Sequence, residues 1–222
     1  MITILLWRCP LCNTDDALSY RVRWLRPDHL SCAHCGTEWQ VQRVIGDDYR
    51  LRVIKGEASS IGLELPLAEW YDRMKAGFRL TPLQQDSVAL GHGELLYLRG
   101  QEAAMIVRAD NPLLVGWDQR DAPMGPLAQE LVPKWETLEP GCLYMTEQRL
   151  IWEGEETACD FWWERVNAVF TWFTRAFGIM YGTTTYRFSI PGQSVLKWLT
   201  YSGELAKALE ARSGRRIAVS HY

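Results

Sequence analysis

The sequence predicts a mainly β protein of the α+β class, with a small N-terminal domain and a larger antiparallel β-barrel or sandwich capped by a C-terminal helix. Three observations predict it. Four cysteines lie in two close pairs near the N-terminus, short runs of alternating polar and apolar residues recur after residue 93, and the period becomes helical after residue 192. We place the domains at residues 1–56 and 85–222, with a linker and an amphipathic helix over residues 57–84.

The two cysteine pairs have the spacing of a tetrahedral metal site. Two residues separate Cys9 from Cys12 and Cys32 from Cys35, and nineteen residues lie between the pairs. Each pair is predicted to form a tight turn whose sulfurs point at one ion, and four thiolates are a ligand set of structural Zn²⁺. No coordination position remains for water, which predicts a structural zinc ribbon rather than a catalytic site. Gly36, which follows the second pair, suits a residue with positive φ.

Two disulfides, a thioredoxin-like redox pair and rubredoxin-like iron are the alternatives to zinc. Residues 1–7 are apolar but lack a basic start, so they are predicted to form a first strand rather than a signal peptide. With no export signal, disulfides are disfavoured and a cytoplasmic location is expected. A redox motif needs only one pair beside a βαβ pattern, so iron is the main alternative.

The rest of the N-terminal half divides into strands, a linker and a helix. Alternating residues predict ribbon strands over 21–26, 37–44 and 49–54. A Gly- and Ser-rich stretch over residues 55–62 predicts the linker. Residues 65–78 predict a helix with Pro66 in its first turn. Its apolar residues share one face, which we expect to pack on the protein's own sheet: Leu67, Trp70, Tyr71, Met74 and Phe78.

Three arginines beside an aromatic residue form a candidate basic face, namely Arg21, Arg23 and Arg26 around Trp24. Residues 1–56 carry eight basic and six acidic side chains, and four zinc-bound thiolates would bring their charge close to zero. A protein that neutralises several phosphates of a nucleic acid needs a larger excess of basic over acidic side chains. Binding to nucleic acid or to the transcription machinery is therefore the alternative prediction for this domain.

The C-terminal half is predicted to be a series of short strands followed by one helix. Strands are expected over 94–99, 103–108, 113–117, 135–138, 141–145, 149–154, 160–166, 168–173, 178–181 and 185–190, with an irregular loop over 118–133. The helix is expected to begin at Ser194 as N-cap and to end before Gly214. The eleven tryptophans are spread along the whole chain and are expected to pack in cores and hairpins.

Residues 141–152 carry a resemblance to a known family. They read glycine, apolar residues around a tyrosine, Thr146, two further residues, Arg149, Leu150, an apolar residue and Trp152. This order resembles the signature of GRAM and bacterial pleckstrin-homology (PH-like) domains. Tyr186 to Phe188, Gly192 and a helix containing Trp198 are similar to the end of that domain, so the resemblance covers residues 90–211.

The resemblance implies a PH-like fold that binds a protein partner or a membrane lipid. A zinc ribbon followed by a GRAM-like region is also similar to the tails of some bacterial lysophospholipid acyltransferase-like proteins. The chain has no His-x₄-Asp motif, so acyltransferase activity is not carried across. Residues 57–222 have more acidic than basic side chains, which disfavours strong binding to phosphoinositides.

No catalytic constellation stands out. The four histidines are scattered at positions 29, 34, 92 and 221, and no nucleophile elbow, P-loop or dinucleotide-binding glycine set occurs. The sequence therefore predicts a non-catalytic adaptor or scaffold with no small-molecule substrate. We expect a protein partner, with peripheral contact at the inner face of the membrane as a further option. The candidate tip for either contact is Phe173, Arg175 and Phe177.

Overall fold

The computed structural model describes residues 2–44, 48–84, 88–108, 135–172 and 174–221. The protein is mainly β in these ranges, with two sheets and a few helices. The chain divides into two units, Met1–Arg79 and Leu80–Tyr222, and each is described by itself. The predicted strand over 113–117 and the predicted loop over 118–133 lie outside the described residues.

The first unit contains a five-stranded antiparallel sheet whose strands follow one another in chain order. Its elements are α1 (Ile2–Leu5), β1 (Leu18–Arg21), β2 (Asp28–Cys32), β3 (Glu38–Arg43), β4 (Tyr49–Lys55), β5 (Glu64–Pro66) and α2 (Leu67–Ala76). Strands β3 and β4 lie close to their predicted positions. β5 is too short to show a period in the sequence.

The N-terminal segment is a helical turn, so the strand predicted there is wrong. The N–H of Leu6 donates to the carbonyl of Ile2 at 2.8 Å, which closes one turn of helix. Ile2, Leu6 and Trp7 are buried. An isolated apolar run of this length suits a buried helical turn as well as a strand, and packing decides between them.

The strand predicted over residues 21–26 is also wrong. β1 ends at Arg21, and residues 22–27 form an exposed connection to β2. The alternation of arginines with apolar residues suggested one buried face, but the apolar members of this run are as exposed as the arginines. The strands that pair here, β1 and β2, lie on either side of the predicted one.

Residues 57–79 form part of the first unit. Residues 57–63 connect β4 to β5, and β5 pairs with β4 along Arg50 to Arg52. Trp70 on α2 donates its indole N–H to the carbonyl of Leu51 at 3.1 Å and packs edge-on against Trp39, with 6.0 Å between ring centroids. β5 and α2 therefore complete the sheet and core of the first unit, which extends to Arg79.

The predicted amphipathic helix forms as α2, although it is shorter than predicted. Pro66 is its N-cap, one residue before the first helical turn. Leu67, Trp70 and Met74 are buried, and Phe78 is buried just beyond the helix, where its ring packs edge-on against Trp7. The predicted apolar face therefore covers the unit's own sheet, apart from a half-buried Tyr71.

The second unit contains an eight-stranded sheet and a C-terminal helix. Its elements are β6 (Leu96–Arg108), β7 (Trp135–Thr146), β8 (Arg149–Gly154), β9 (Ala158–Trp162), β10 (Val166–Trp172), β11 (Ala176–Tyr181), β12 (Thr184–Ser189), α3 (Val195–Ser213) and β13 (Ala218–His221). The spatial order is β13-β10-β11-β12-β6-β7-β8-β9, and every pair is antiparallel except β10 with β13. Among the described strands, no pairing joins β9 to β13 to close a barrel.

Two predicted breaks in the strands are irregularities within longer strands. β6 is continuous across residues 100–101, where the sequence suggested an interruption, and its register with β7 shifts between Gly100 and Ala103. Glu102 there has a φ of 51°, which is characteristic of a bulge. β7 likewise runs through Pro140 and Gly141 without ending. β13 was not predicted.

An aromatic cluster joins the sheet of the second unit to α3. Phe177 on β11 stacks on Phe188 of β12 at 6.3 Å between centroids and contacts Trp198 of α3 at 5.8 Å. α3 begins after Ser194 and ends at Gly214, whose φ of 72° stops the helix as predicted. Ser194 makes no side-chain capping hydrogen bond. Within the described ranges, no helix is long and apolar enough to cross a membrane.

A buried ion pair fixes the turn between β7 and β8. Arg149 donates from Nε and Nη2 to the two carboxylate oxygens of Glu94, each at 3.0 Å. Thr146 donates its hydroxyl to Glu94 at 2.6 Å and accepts the N–H of Gln148 and of Arg149. The Glu94 side chain is 1% exposed. Burial alone would raise the pKa of Glu94, but the bonds from Arg149, Thr146 and the Gly91 N–H outweigh it and lower that pKa.

We expect Glu94→Gln to destabilise the second unit by about 3 kcal/mol, because it removes the buried carboxylate that Nε and Nη2 of Arg149 bond and leaves the guanidinium with the more exposed Asp160 as its carboxylate partner. Since the folded-state pKa of Glu94 is lowered, its contribution is complete above the ordinary carboxyl pKa and is lost as the pH falls through the lowered value. Urea unfolding of the full chain at neutral and acidic pH measures both effects.

Glu164→Gln is the matched control, because Glu164 is exposed. It should leave the unfolding free energy almost unchanged. Equal destabilisation by the two variants, or an unaltered acid dependence in Glu94→Gln, would show that the ion pair is not what holds this turn.

Candidate metal centre

The four predicted cysteine ligands converge. The sulfurs of Cys9, Cys12, Cys32 and Cys35 all lie within 4.8 Å of one another. Cys9 Sγ is 3.8 Å from Cys35 Sγ, and Cys12 Sγ is 3.7 Å from Cys32 Sγ. Four sulfurs placed tetrahedrally at about 2.3 Å from an ion are about 3.8 Å apart. The cluster therefore has the dimensions of a four-thiolate metal site.

The same distances argue against the disulfide alternative. A disulfide needs sulfurs about 2.05 Å apart, and the cysteines of the cluster are all free thiols. The four-sulfur set is one that zinc takes in structural sites and that also suits iron. These residues can hold either ion, and zinc would supply only structural cross-linking because no position is left for a substrate.

The two cysteine turns share one hydrogen-bond pattern. Cys9 N–H donates to the carbonyl of Thr14 at 3.0 Å, and Cys32 N–H donates to the carbonyl of Thr37 at 2.8 Å. The residue after each pair, Asn13 or Gly36, donates its N–H to the first cysteine's carbonyl, at 2.9 and 3.0 Å. The two turns are thus copies of the same local structure.

Positive φ angles occur at the same place in both turns. Gly36 has a φ of 68°, as its position predicted, and Asn13 has a φ of 58°. Asparagine is one of the few residues with a side chain that tolerates this region. Asn13 also packs against Gly77 at the end of α2, because a Cβ at Gly77 would lie 2.5 Å from Asn13 Oδ1. The first turn is therefore fitted to the helix.

Backbone amides favour the thiolate form at each turn. The N–H groups of Leu11 and Cys12 bond to Cys9 Sγ, and those of His34 and Cys35 bond to Cys32 Sγ. Burial nevertheless raises the pKa of the Cys9 and Cys32 thiols in the metal-free chain. Burial acts in the same direction at Cys35, but hydrogen bonds from Thr37 and neighbouring cysteines outweigh it and lower its pKa to about 7.

Two threonines belong to the site although the sequence analysis did not select them. Thr14 Oγ1 lies 3.3 Å from Cys12 Sγ, and Thr37 Oγ1 lies 3.2 Å from Cys35 Sγ. The sequence contained a repeat that could have identified these threonines. Each cysteine pair is followed by a residue with positive φ, Asn13 or Gly36, and then by a threonine. A hydroxyl that bonds to a metal-bound thiolate orients it and offsets its charge.

The candidate basic face lies at the end of the β1–β2 hairpin, away from the cysteines. Arg21, Arg23 and Arg26 are all exposed, as is Trp24 between them. The register of the hairpin pairs Leu18 with Cys32 at one end and Arg21 with His29 at the other. Three residues of strand, about 10 Å, therefore separate the metal ligand from the arginines.

The candidate tip at residues 173–177 needs correction. Phe177 is 0% exposed and belongs to the aromatic core, because it lies on the inward face of β11. Arg175 is exposed, and its N–H donates to the carbonyl of Trp172 at 3.2 Å to close the turn. Phe173 lies outside the described residues. The exposed members of this turn among the described residues are therefore Trp172, Thr174 and Arg175.

Comparisons of the chain with protein-family models, with curated proteins and with solved structures found no match.

Removing the metal should unfold the first unit selectively. We expect a chelator to abolish the amide-exchange protection of β1 to β4 while β10 to β12 remain protected, because the second unit's core does not include the cluster. Hydrogen–deuterium exchange with peptide-level readout measures both units in one experiment.

Cys35→Ser should reproduce the effect of the chelator, and Cys159→Ser is the matched control because its thiol lies outside the cluster. Equal loss of protection in both units, or none in either, would contradict a cross-link confined to the first unit.

The threonine hydroxyls should tune metal affinity. Thr37→Val keeps the shape of a buried side chain but removes its bond to Cys35, and we expect it to weaken metal binding by about tenfold. Thr37→Ser, which keeps the hydroxyl, should bind close to the original affinity. Competition with a chromophoric chelator measures the difference, and equal affinities for the Val and Ser variants would rule out this role.

Proposed function

We propose that the protein is a non-catalytic adaptor, in which a structural zinc ribbon accompanies a PH-like unit that binds a protein partner. The observation that carries the proposal is the architecture of the second unit. Seven antiparallel strands, β6 to β12, are followed by one C-terminal helix, which is what the resemblance to GRAM and PH-like domains implies. The N-terminal cluster of four thiols is consistent with the zinc ribbon.

The contacts of Thr146 and Arg149, two residues of the GRAM and PH-like signature, support a non-catalytic role. Thr146 and Arg149 hold Glu94 and the β7–β8 turn, so the most specific part of the resemblance corresponds to a structural device. Arg149 also places its guanidinium 5.0 Å from the ring of Trp162. The buried carboxylate and guanidinium are bonded to each other, which favours a structural role for them over a role in binding a ligand or moving a proton.

A surface around Trp172 is the best candidate for the partner site on this unit. Trp172 is 43% exposed, and the guanidinium of Arg187 lies 3.8 Å from its ring centroid. Arg175 adds a second cation at the adjoining turn. Tryptophan and arginine are the residues that most often dominate the energy of protein interfaces. The partner that fits this surface offers an apolar pocket bordered by carboxylates.

Charged groups at the C-terminal end are less suited to such a contact. Arg215 donates to the carbonyl of Val166 at 3.2 Å, and Arg216 pairs with Glu210 at 2.7 Å. They attach the segment before β13 to the rest of the unit. We therefore place the partner site at the Trp172 turn, and we propose a cytoplasmic protein whose thiols remain reduced for metal binding.

Nucleic-acid or transcription-machinery binding by the ribbon is a second candidate function. The observation that favours it is the exposed Trp24 among three arginines, since single-stranded nucleic acid binds to aromatic platforms beside cations. The near balance of charge in residues 1–56 weakens it.

Affinity capture with variants tests the adaptor proposal. The tagged full chain should retain a defined set of proteins from an extract of its own source cells, and Trp172→Ser should lose them, because it removes the central apolar contact. Trp162→Ser is the matched control, since Trp162 is similarly exposed but lies on β9, six strands away from β10 in the order of the sheet. Quantitative mass spectrometry compares the three samples.

Circular dichroism should show that both variants remain folded. Retention of the same proteins by Trp172→Ser would exclude the Trp172 surface. A retained set no different from that of an unrelated tagged protein would contradict the adaptor proposal itself.

A further inference from the structure

The connection between β1 and β2 presents apolar side chains to solvent. We call residues 22–27 the Trp24 loop. Trp24 is 98% exposed, Leu25 is 92% exposed and Val22 is 76% exposed. Single exposed apolar residues are common on soluble proteins, but three within four positions concentrate apolar side chains in one loop. Such a concentration is typical of an interaction surface.

The base of the Trp24 loop is held in place. Asp28 accepts the N–H of Arg23 at 3.0 Å through one carboxylate oxygen and the hydroxyl of Tyr20 through the other. Below these bonds, the paired strands lead directly to Cys32 in the cysteine cluster. The loop is therefore the end of an anchored hairpin, and its exposed residues project beyond it.

The charge of the Trp24 loop is positive and local. Arg21, Arg23 and Arg26 flank the apolar residues, and all three are exposed. The nearest acidic residue in the sequence, Asp28, has both oxygens bonded within the hairpin. The run from Arg21 to Arg26 therefore carries three cations within six residues, with no acidic residue among them.

Three kinds of occupant differ in what they require. A stable protein interface needs about 800 Å² on each side, formed by about 20 residues or more, and the loop supplies only six. Single-stranded nucleic acid needs aromatic platforms along a basic groove, and two of the three apolar side chains are aliphatic. A membrane interface needs only a small apolar projection with a tryptophan at headgroup depth and arginines at the phosphates.

We propose that the Trp24 loop inserts into the interface of membranes that contain anionic lipids. Val22, Trp24 and Leu25 would enter the boundary between headgroups and acyl chains, and the three arginines would lie among the lipid phosphates. Binding of this kind is weak and reversible, so it adds a membrane contact to a protein held by other interactions. The site is in the first unit and does not depend on the adaptor surface proposed at Trp172.

Co-sedimentation of the metal-loaded full chain with vesicles tests the proposal. The protein should bind phosphatidylcholine vesicles that contain phosphatidylserine and should bind pure phosphatidylcholine much less. Trp24→Ser should lower the partition coefficient by about tenfold through the lost apolar burial. Each arginine changed to glutamine should lower it by about fivefold. Salt that reduces the Debye length from about 10 Å to about 3 Å should weaken binding as well.

Matched controls come from the same unit. Ile61→Ser removes an exposed apolar residue away from the loop, and Arg52→Gln removes an exposed cation on β4. Both should bind vesicles like the original chain. Unchanged metal content and circular dichroism show that each variant is folded. If these controls lose binding as strongly as the loop variants, insertion of the loop is excluded.

A parallel measurement separates lipid from nucleic acid. Fluorescence anisotropy of a labelled single-stranded oligonucleotide is recorded with the same proteins at low and high salt. Nucleic-acid binding that depends on Trp24 and the arginines, without vesicle binding, would overturn the proposal, as would the absence of both. If Trp172→Ser loses its protein partners but still binds vesicles, the membrane proposal for the Trp24 loop is supported. The adaptor proposal and the membrane proposal can therefore fail independently.

Discussion

The convergence of four cysteine sulfurs is the constraint on which the first unit depends. It joins a turn near the N-terminus to the connection between β2 and β3, and the β1–β2 hairpin leaves directly from it. A domain of this size buries a limited core, so a metal ion held by the four cysteines would contribute a large share of its stability. The same anchor explains how the unit can present three exposed apolar residues on a loop, since that loop is the end of a hairpin fixed at its base.

The second unit is stabilised by different means. Its sheet and helix meet in an aromatic core around Phe177, Phe188 and Trp198, and a buried Glu94–Arg149 pair fixes the β7–β8 turn. Hydrophobic burial supplies the driving force, and the ion pair selects one arrangement of the turn. Each unit thus has its own source of stability. Exposed tryptophans lie in both units, Trp24 in the first and Trp162 and Trp172 in the second.

Features encoded by local spacing could be predicted from the sequence, whereas features decided by distant contacts could not. The cysteine spacing predicted the metal cluster, and Gly214 predicted the end of α3. The alternating residues 21–26 predicted a strand, but most of them form an exposed loop. A period of two in the sequence does not reveal whether either face of the segment is covered. Phe177 was predicted to lie in an exposed turn, but it lies on β11 and its side chain is buried. Glu94 carried no signal, since its partners Thr146 and Arg149 lie more than fifty residues away in the chain.

X-ray absorption spectroscopy of the purified full chain tests the metal centre most directly. Zinc at one equivalent per chain with a shell of four sulfurs at about 2.3 Å is the expected result. Cys35→Ser should replace one of those sulfurs by a lighter ligand or abolish binding, and Cys159→Ser should leave the shell unchanged. A shell dominated by nitrogen or oxygen, or a folded first unit that contains no metal, would contradict the proposal that a four-thiolate ion holds this unit together.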